Sequence, residues 1–373
     1  MGMMSFYILY GITGAVPFLA ALYLLLRRGN AFAPEVTPPV RLRHWAAAFF
    51  VVAALGHVWW YLFYVYSHDF RSPWYVVVCV LDCVALLTTI AGTLLAMLQD
   101  RRRPVWPAIV ALIPFVALGA SQIFSPDGPF MNIAIVYILT LYVLFSVYMV
   151  FAVKRYGQWL NDNYADLENK KVWLSQVVSL VCLLLFIFYA LVDADNFLIY
   201  ILHAVELVLF ALLLWRVETL PLLAETSTKE ETTAASEPEA APDTLLANRK
   251  EGDTLGNIDL AQIERLLAEH CVDTQLYLQH DLTLQQLAQA VGTNRSYLSQ
   301  YFSRQSITYN SYINNLRINY FISRYQEVIE SQQSFTVQQL ASESGYRSYS
   351  TFSLAFKQRM SQTVSAWMNK SSE

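Results

Sequence analysis

Four ionisable residues stand inside long apolar runs of a 373-residue chain: His57, Asp82, His203 and Glu206. Imidazole and carboxylate groups exchange protons and ligate cations. In hydrocarbon each costs about 2.5–3.5 kcal/mol even on lenient insertion scales, so each needs a partner or a purpose. His203 and Glu206, at i and i+3, share a helix face, as do Cys79, Asp82 and Cys83. Counted along helices at about 1.5 Å per residue, His57, Asp82 and Glu206 fall roughly 12–14 Å below one boundary, in a layer near the midplane. Two readings stay open. The layer is a neutral polar network that fixes helix packing, or it is a sensing site for a proton, a metal ion or a polar ligand. Two His and two carboxylates could ligate a metal, with thiols nearby. The spacing matches no metal motif, so a metal stays unknown, and no cofactor is expected.

The elements that carry this layer are apolar. The chain is 55% hydrophobic with a net charge of −4, and its mean hydropathy is +0.35. The apolar excess sits in the first 217 residues. Seven runs there are long enough to cross about 30 Å of hydrocarbon as helices: near 5–26, 44–66, 74–98, 105–124, 130–153, 172–192 and 197–215. Alternate connections carry Arg27, Arg28, Arg41, Arg43, Arg101, Arg102, Arg103, Lys154, Arg155, Lys170 and Lys171, whereas the opposite set carries Arg71 alone. The basic set is expected to be cytoplasmic, with the N-terminus outside and the C-terminus inside. Met1–Phe6 has no basic n-region, so the first run does not read as a signal peptide. The outer loops are short, so an outside signal would be read within the bundle or at its rim, around His68, Asp69, Asp193 and Asp195. The four cysteines show no disulfide or zinc-ribbon spacing.

From Leu222 to Asn257 the chain is rich in Glu, Thr, Ala, Ser and Pro and has no aromatic residue. Such a segment cannot bury enough apolar surface to fold. The expected organisation is therefore a seven-helix transmembrane domain at 1–217, a disordered acidic linker at 218–257, and a compact helical domain at 258–373.

Within that last domain two segments echo each other: LQQLAQAVGTNRSYLSQYFSRQ from Leu284 and VQQLASESGYRSYSTFSLAFKQ from Val337. Ala288 and Gly292 recur 53 residues on as Ala341 and Gly345, while Leu298 and Phe302 recur 54 on as Phe352 and Phe356. Each unit reads as a helix-turn-helix. A small Ala lets the helices cross, and Gly serves the turn where φ is positive. The second helix of each unit leaves a polar face suited to base edges and phosphates: Arg295, Ser296, Ser299 and Gln300, then Arg347, Tyr349, Ser350 and Lys357. One long helix, roughly 308–331, joins the units and could set the recognition helices about 34 Å apart, one turn of DNA. Residues 290–370 hold eight basic and three acidic side chains, the electrostatic footprint of a DNA-facing surface.

The stretches LYLQHDLTLQQLA, RSYLSQYFSR, YINNLRI, QQLASESGY and FSLAFKQR, within about Gln275 to Trp367, resemble the DNA-binding domain of the AraC/XylS family of bacterial transcription regulators. The resemblance covers a quarter of the chain. It implies seven helices, two helix-turn-helix units and double-stranded promoter DNA as partner. It also implies base-reading roles for Ser296, Ser299 and Gln300 in the first unit and for Tyr349, Ser350 and Leu354 in the second. The sequence departs from the family where Ser306 and Ser361 replace the usual glycines after the recognition helices, and where Thr363-Val364 stands for Thr-Pro.

The expected fold class is all-α. The expected function is a membrane-bound one-component transcription regulator of the bacterial inner membrane, with its reader in the cytoplasm, under control of the bundle and of an unknown signal ligand or ion. The lipid bilayer is the second partner, and a homodimer stays open. The alternative is a membrane transporter or enzyme with a regulatory DNA-binding tail, its buried layer moving protons or activating water.

Overall fold

The computed structural model describes residues 3–27, 30–34, 36–67, 69, 72–168, 170–191, 196–223 and 260–371. The expected linker falls almost wholly outside the described residues, as do Arg28, His68, Arg71, Asp193 and Asp195. All regular structure described is helical apart from one isolated bridge, Tyr164 to Thr283. The chain divides into two compact units: Met1–Tyr156 with Asn169–Ala224, and Gly157–Glu168 with Glu225–Glu373.

The first unit holds α1 (Met3–Leu26), α2 (Val40–Tyr66), α3 (Pro73–Ala96), α4 (Trp106–Ala111), α5 (Ile113–Phe124), α6 (Phe130–Asn163, up to Tyr156), α7 (Trp173–Leu191) and α8 (Asn196–Thr219). Helix α2 packs against α1, α3 and α8, and α3 against α5. Ser72 caps α3 by accepting from Tyr75 N, with Pro73 at the first helical position. The fourth apolar run breaks at Leu112 into α4 and α5. Pro114 lies just beyond the break and has no N–H to give to the preceding turn. Six stretches are long and apolar enough to cross a membrane: Phe6–Leu26, Val40–Tyr66, Pro73–Ala96, Trp106–Phe124, Phe130–Asn163 and Tyr200–Thr219. At the place of the sixth expected span, α7 is apolar over Trp173–Leu185 among the described side chains. Leu19, Val136, Leu144 and Val150 are each at least 60% exposed. A water-facing bundle would not present such a surface. Helix α6 also runs ten residues past the expected end at 153, because no Pro interrupts Lys154–Asn163.

The second unit contains seven helices from Leu260 to Ser371: α9 (Leu260–Leu267), α10 (Leu284–Val291), α11 (Arg295–Arg304), α12 (Tyr309–Glu330), α13 (Val337–Glu343), α14 (Tyr349–Met360) and α15 (Val364–Ser371). A π-helical turn, Ala268–Val272, follows α9 and carries buried Cys271. Burial pushes that thiol up to about 11, so it is an inert packing group. Side-chain caps set the starts of the helices. Thr283 and Thr308 form capping boxes with Gln286 and Ser311, while Asn294, Thr336 and Ser348 cap α11, α13 and α14. Two cores result. Leu287, Ala288, Leu298, Phe302 and Ile313 form one, and Phe321, Leu340, Ala341, Phe352 and Phe356 form the other. Helix α12 feeds both, as the long connector must.

Arg317 on α12 ties the cores together. It is 1% exposed. It donates to the carbonyls of Tyr277 and Gln279, both at 2.7 Å, and lies 5.4 Å from the centre of the Tyr346 ring. Gly345 sits in this crossing at φ +85°, where a Cβ would meet Leu278 O at 2.7 Å. Only glycine fits on both counts.

Candidate nucleic-acid interface and bundle site

Helices α11 and α14 place the expected DNA-reading residues. Ser296, Ser299, Arg347, Tyr349, Ser350, Leu354 and Lys357 are exposed, and Arg295 and Gln300 are half-buried. Leu298, Phe302, Phe352 and Phe356, one helical turn apart in each unit, face inward and anchor the two recognition helices. The turns after those helices keep the left-handed conformation without glycine: Ser306 has φ 54° and Ser361 φ 56°. The serines preserve the geometry at a strain of about 1–2 kcal/mol each. Arg347 is ion-paired with Asp281 at 3.1 Å.

Sequence reasoning missed a segment that packs beside these residues. The end of α6 and the loop after it, Asn163–Glu168, belong to the second unit. Ala165 is buried in the first core, its N–H on the Leu282 carbonyl at 3.3 Å. Asn310 donates to the carbonyls of Tyr164 and Ala165 at 3.1 and 2.7 Å. From this seat the segment reaches the N-terminal ends of both recognition helices. Arg295 Nε donates to Asn163 Oδ1 at 2.9 Å. The Glu168 carboxylate accepts from Thr351 Oγ1 at 3.0 Å, from Ser350 Oγ at 3.4 Å, and from Ser348 Oγ in a shorter bond. Ser348 Oγ also accepts from Thr351 N, so Glu168 meets the side-chain hydroxyls at the start of α14 while its dipole favours the negative charge. Glu168 thus ties the loop after α6 to the start of α14. The local signal was a cluster of acidic residues, Asp162, Asp166 and Glu168, in a connection that also carries Lys154, Arg155, Lys170 and Lys171.

In the first unit the structure divides the four buried ionisable residues. His57 on α2 meets Glu206 and His203 of α8. His57 Nε2 lies 3.6 Å from Glu206 Oε2, and His203 Nδ1 lies 3.2 Å from the same oxygen. His57 Nδ1 is 2.9 Å from the Ala53 carbonyl, and Nε2 is 3.0 Å from Thr13 Oγ1. Tyr10 donates to the His57 carbonyl at 2.7 Å. Gly14 admits the His57 ring, since a Cβ there would stand 3.2 Å from His57 Cβ. Asp82 is held apart from this group by tryptophans. Its two oxygens accept from Trp59 Nε1 at 3.3 Å and Trp60 Nε1 at 3.1 Å. Gly56 makes room for it, a Cβ there lying 3.0 Å from Asp82 Oδ1. Cys79 and Cys83, beside Asp82 on α3, are free thiols.

Two capped helix-turn-helix units on one connecting helix define a DNA-binding domain of the transcription-regulator class. Residues 287–370 match the family model of a helix-turn-helix domain, of the AraC type. No curated protein and no solved structure matches the chain. The chain thus joins an AraC-type DNA-binding domain to helices of membrane-crossing length and apolarity.

Proposed function

We propose that the chain is a one-component transcription regulator of the bacterial inner membrane, whose apolar bundle senses a signal and whose tethered reader binds a promoter. One observation carries the reading: a helix-turn-helix domain and six helices of membrane-crossing length lie on one polypeptide. Helix α7 is counted as a seventh crossing, because its 19 residues span roughly 28 Å. The N-terminus is then outside and the reader inside, as the basic connections require.

Control runs through Asn163–Glu168. This segment and DNA compete for the starts of α11 and α14, and a signal shifts the balance only by binding one arrangement of the chain better than the other. The polar contacts of Asn163 with Arg295, and of Glu168 with Ser350 and Thr351, support this reading.

Two measurements test the proposal. A reporter active only outside the cytoplasm should be silent when fused at Glu225 and active at Asp127. Genome-wide mapping of DNA bound by the intact protein should return discrete promoter sites. An active Glu225 fusion, or occupancy without sequence preference, defeats the reading.

A further inference from the structure

We propose that the bundle binds one divalent transition-metal ion, with zinc the best fit, through His57 Nε2, His203 Nδ1 and Glu206 Oε2. The three atoms all lie within 4.8 Å of one another, on two helices far apart in sequence. Zinc bonds to imidazole and carboxylate are about 2.0–2.2 Å long, so the edges of a tetrahedral site measure roughly 3.3–3.5 Å. The contacts of 3.2 and 3.6 Å bracket that edge. Two imidazoles and one carboxylate, with a fourth position left to water or a signal molecule, form a borderline donor set that suits zinc and excludes calcium and magnesium.

Hydrogen bonding around His57 prepares it as a ligand. A carbonyl only accepts, so the 2.9 Å contact with Ala53 O fixes the proton on Nδ1. The Nε2 lone pair then points at Glu206 and Thr13. Thr13 Oγ1 itself donates to the carbonyls of Leu9 and Tyr10 at 3.1 and 3.0 Å. When its one hydrogen serves either carbonyl, Thr13 meets Nε2 with a lone pair. With the His203 lone pair on Nδ1 as well, three acceptors face one point, and a cation there satisfies all of them. A ligand histidine whose other nitrogen is held by a carbonyl is the usual outer-shell arrangement at metal sites. A groove of about 1040 Å³ runs along α1 and α2, with Tyr10 and His57 in its wall.

This inference rests on the sensing reading above and names the class of ligand sensed. It is tested by metal content, which does not depend on DNA binding. The full chain is purified in detergent, stripped with EDTA, and titrated with zinc and separately with cobalt(II), whose visible absorption reports tetrahedral coordination. The expected result is one zinc per chain retained through gel filtration, and an intense cobalt spectrum. His203→Gln and Glu206→Gln should each weaken zinc binding at least tenfold, whereas Asp82→Asn, held by the tryptophans, should bind as the parent does. Zinc should also raise the thermal midpoint of the parent and of Asp82→Asn but not of the two ligand variants. If a ligand variant does not fold, the stoichiometry and cobalt spectrum of the parent decide alone. A parent that retains no zinc, or variants that fold and bind zinc equally, overturns the site and leaves His57, His203 and Glu206 as a hydrogen-bonded packing group. Zinc retained by a protein that occupies no promoter upholds the site and removes the regulator reading instead.

Discussion

The Glu168 carboxylate accepts a hydrogen bond from Thr351 Oγ1 at 3.0 Å, at the first turn of the second recognition helix. The two residues are 183 positions apart. On the proposed competition, this contact holds a negative charge where the promoter backbone would bring one. Glu168→Gln keeps the shape and drops the charge. Loss of a charge-assisted bond is worth about 1.5 kcal/mol, roughly tenfold in an equilibrium. The full chain should therefore bind its promoter about tenfold more tightly, read by fluorescence anisotropy at fixed salt. Unchanged affinity would place control elsewhere than this segment.

Lys357 and Gln300, two of the expected DNA-contacting residues, should behave differently. Lys357 is exposed on α14. If it meets a phosphate, Lys357→Ala should weaken binding to every sequence alike and lower the salt slope by about 1. Gln300→Ala should cost about 1–3 kcal/mol and relax preference at one base pair. Affinities against a set of single-base promoter variants, each at several salt concentrations, separate the two patterns.

Arg317 is a buried tie between the two cores. Arg317→Met leaves the carbonyls of Tyr277 and Gln279 without their donor. Bonds to a charged donor are worth about 1.5–3 kcal/mol each, less the relief of no longer burying a charge. A net loss of about 3 kcal/mol is expected in denaturant unfolding of the second unit. DNA binding should fall with it, since α12 sets the spacing of the two units. A variant as stable as the parent would show that the two cores suffice without this link.

At Ser361 the left-handed φ of 56° strains a residue with a Cβ. Ser361→Gly should stabilise the domain by about 1 kcal/mol, and Ser361→Val should destabilise it by more, because a β-branched residue tolerates that region worst. Thermal unfolding of the pair checks the sign. A drop in midpoint for Ser361→Gly would mean that chain entropy outweighs the relieved strain.

Local signals carried much of this protein into the sequence. Apolar runs of sufficient length gave six helices of crossing length, because hydropathy and helix rise act within one segment. The echo of Ala288, Gly292 and Phe302 in Ala341, Gly345 and Phe356 gave two helix-turn-helix units, because caps, turns and i,i+4 anchors are fixed by neighbours in the chain. Counting along helices also gave a common depth to His57, Asp82 and Glu206. Depth, however, says nothing of which helix each face meets. Helix α2 packs on α1 and α8 as well as on α3. That arrangement gave His57 to His203 and Glu206, and left Asp82 to Trp59 and Trp60. The seat of Asn163–Glu168 was equally hidden. Arg295 and Asn163 are 132 residues apart, and neither carries a mark of the other. Such pairings depend on how packed helices turn their side chains toward one another, and only the tertiary structure decides that.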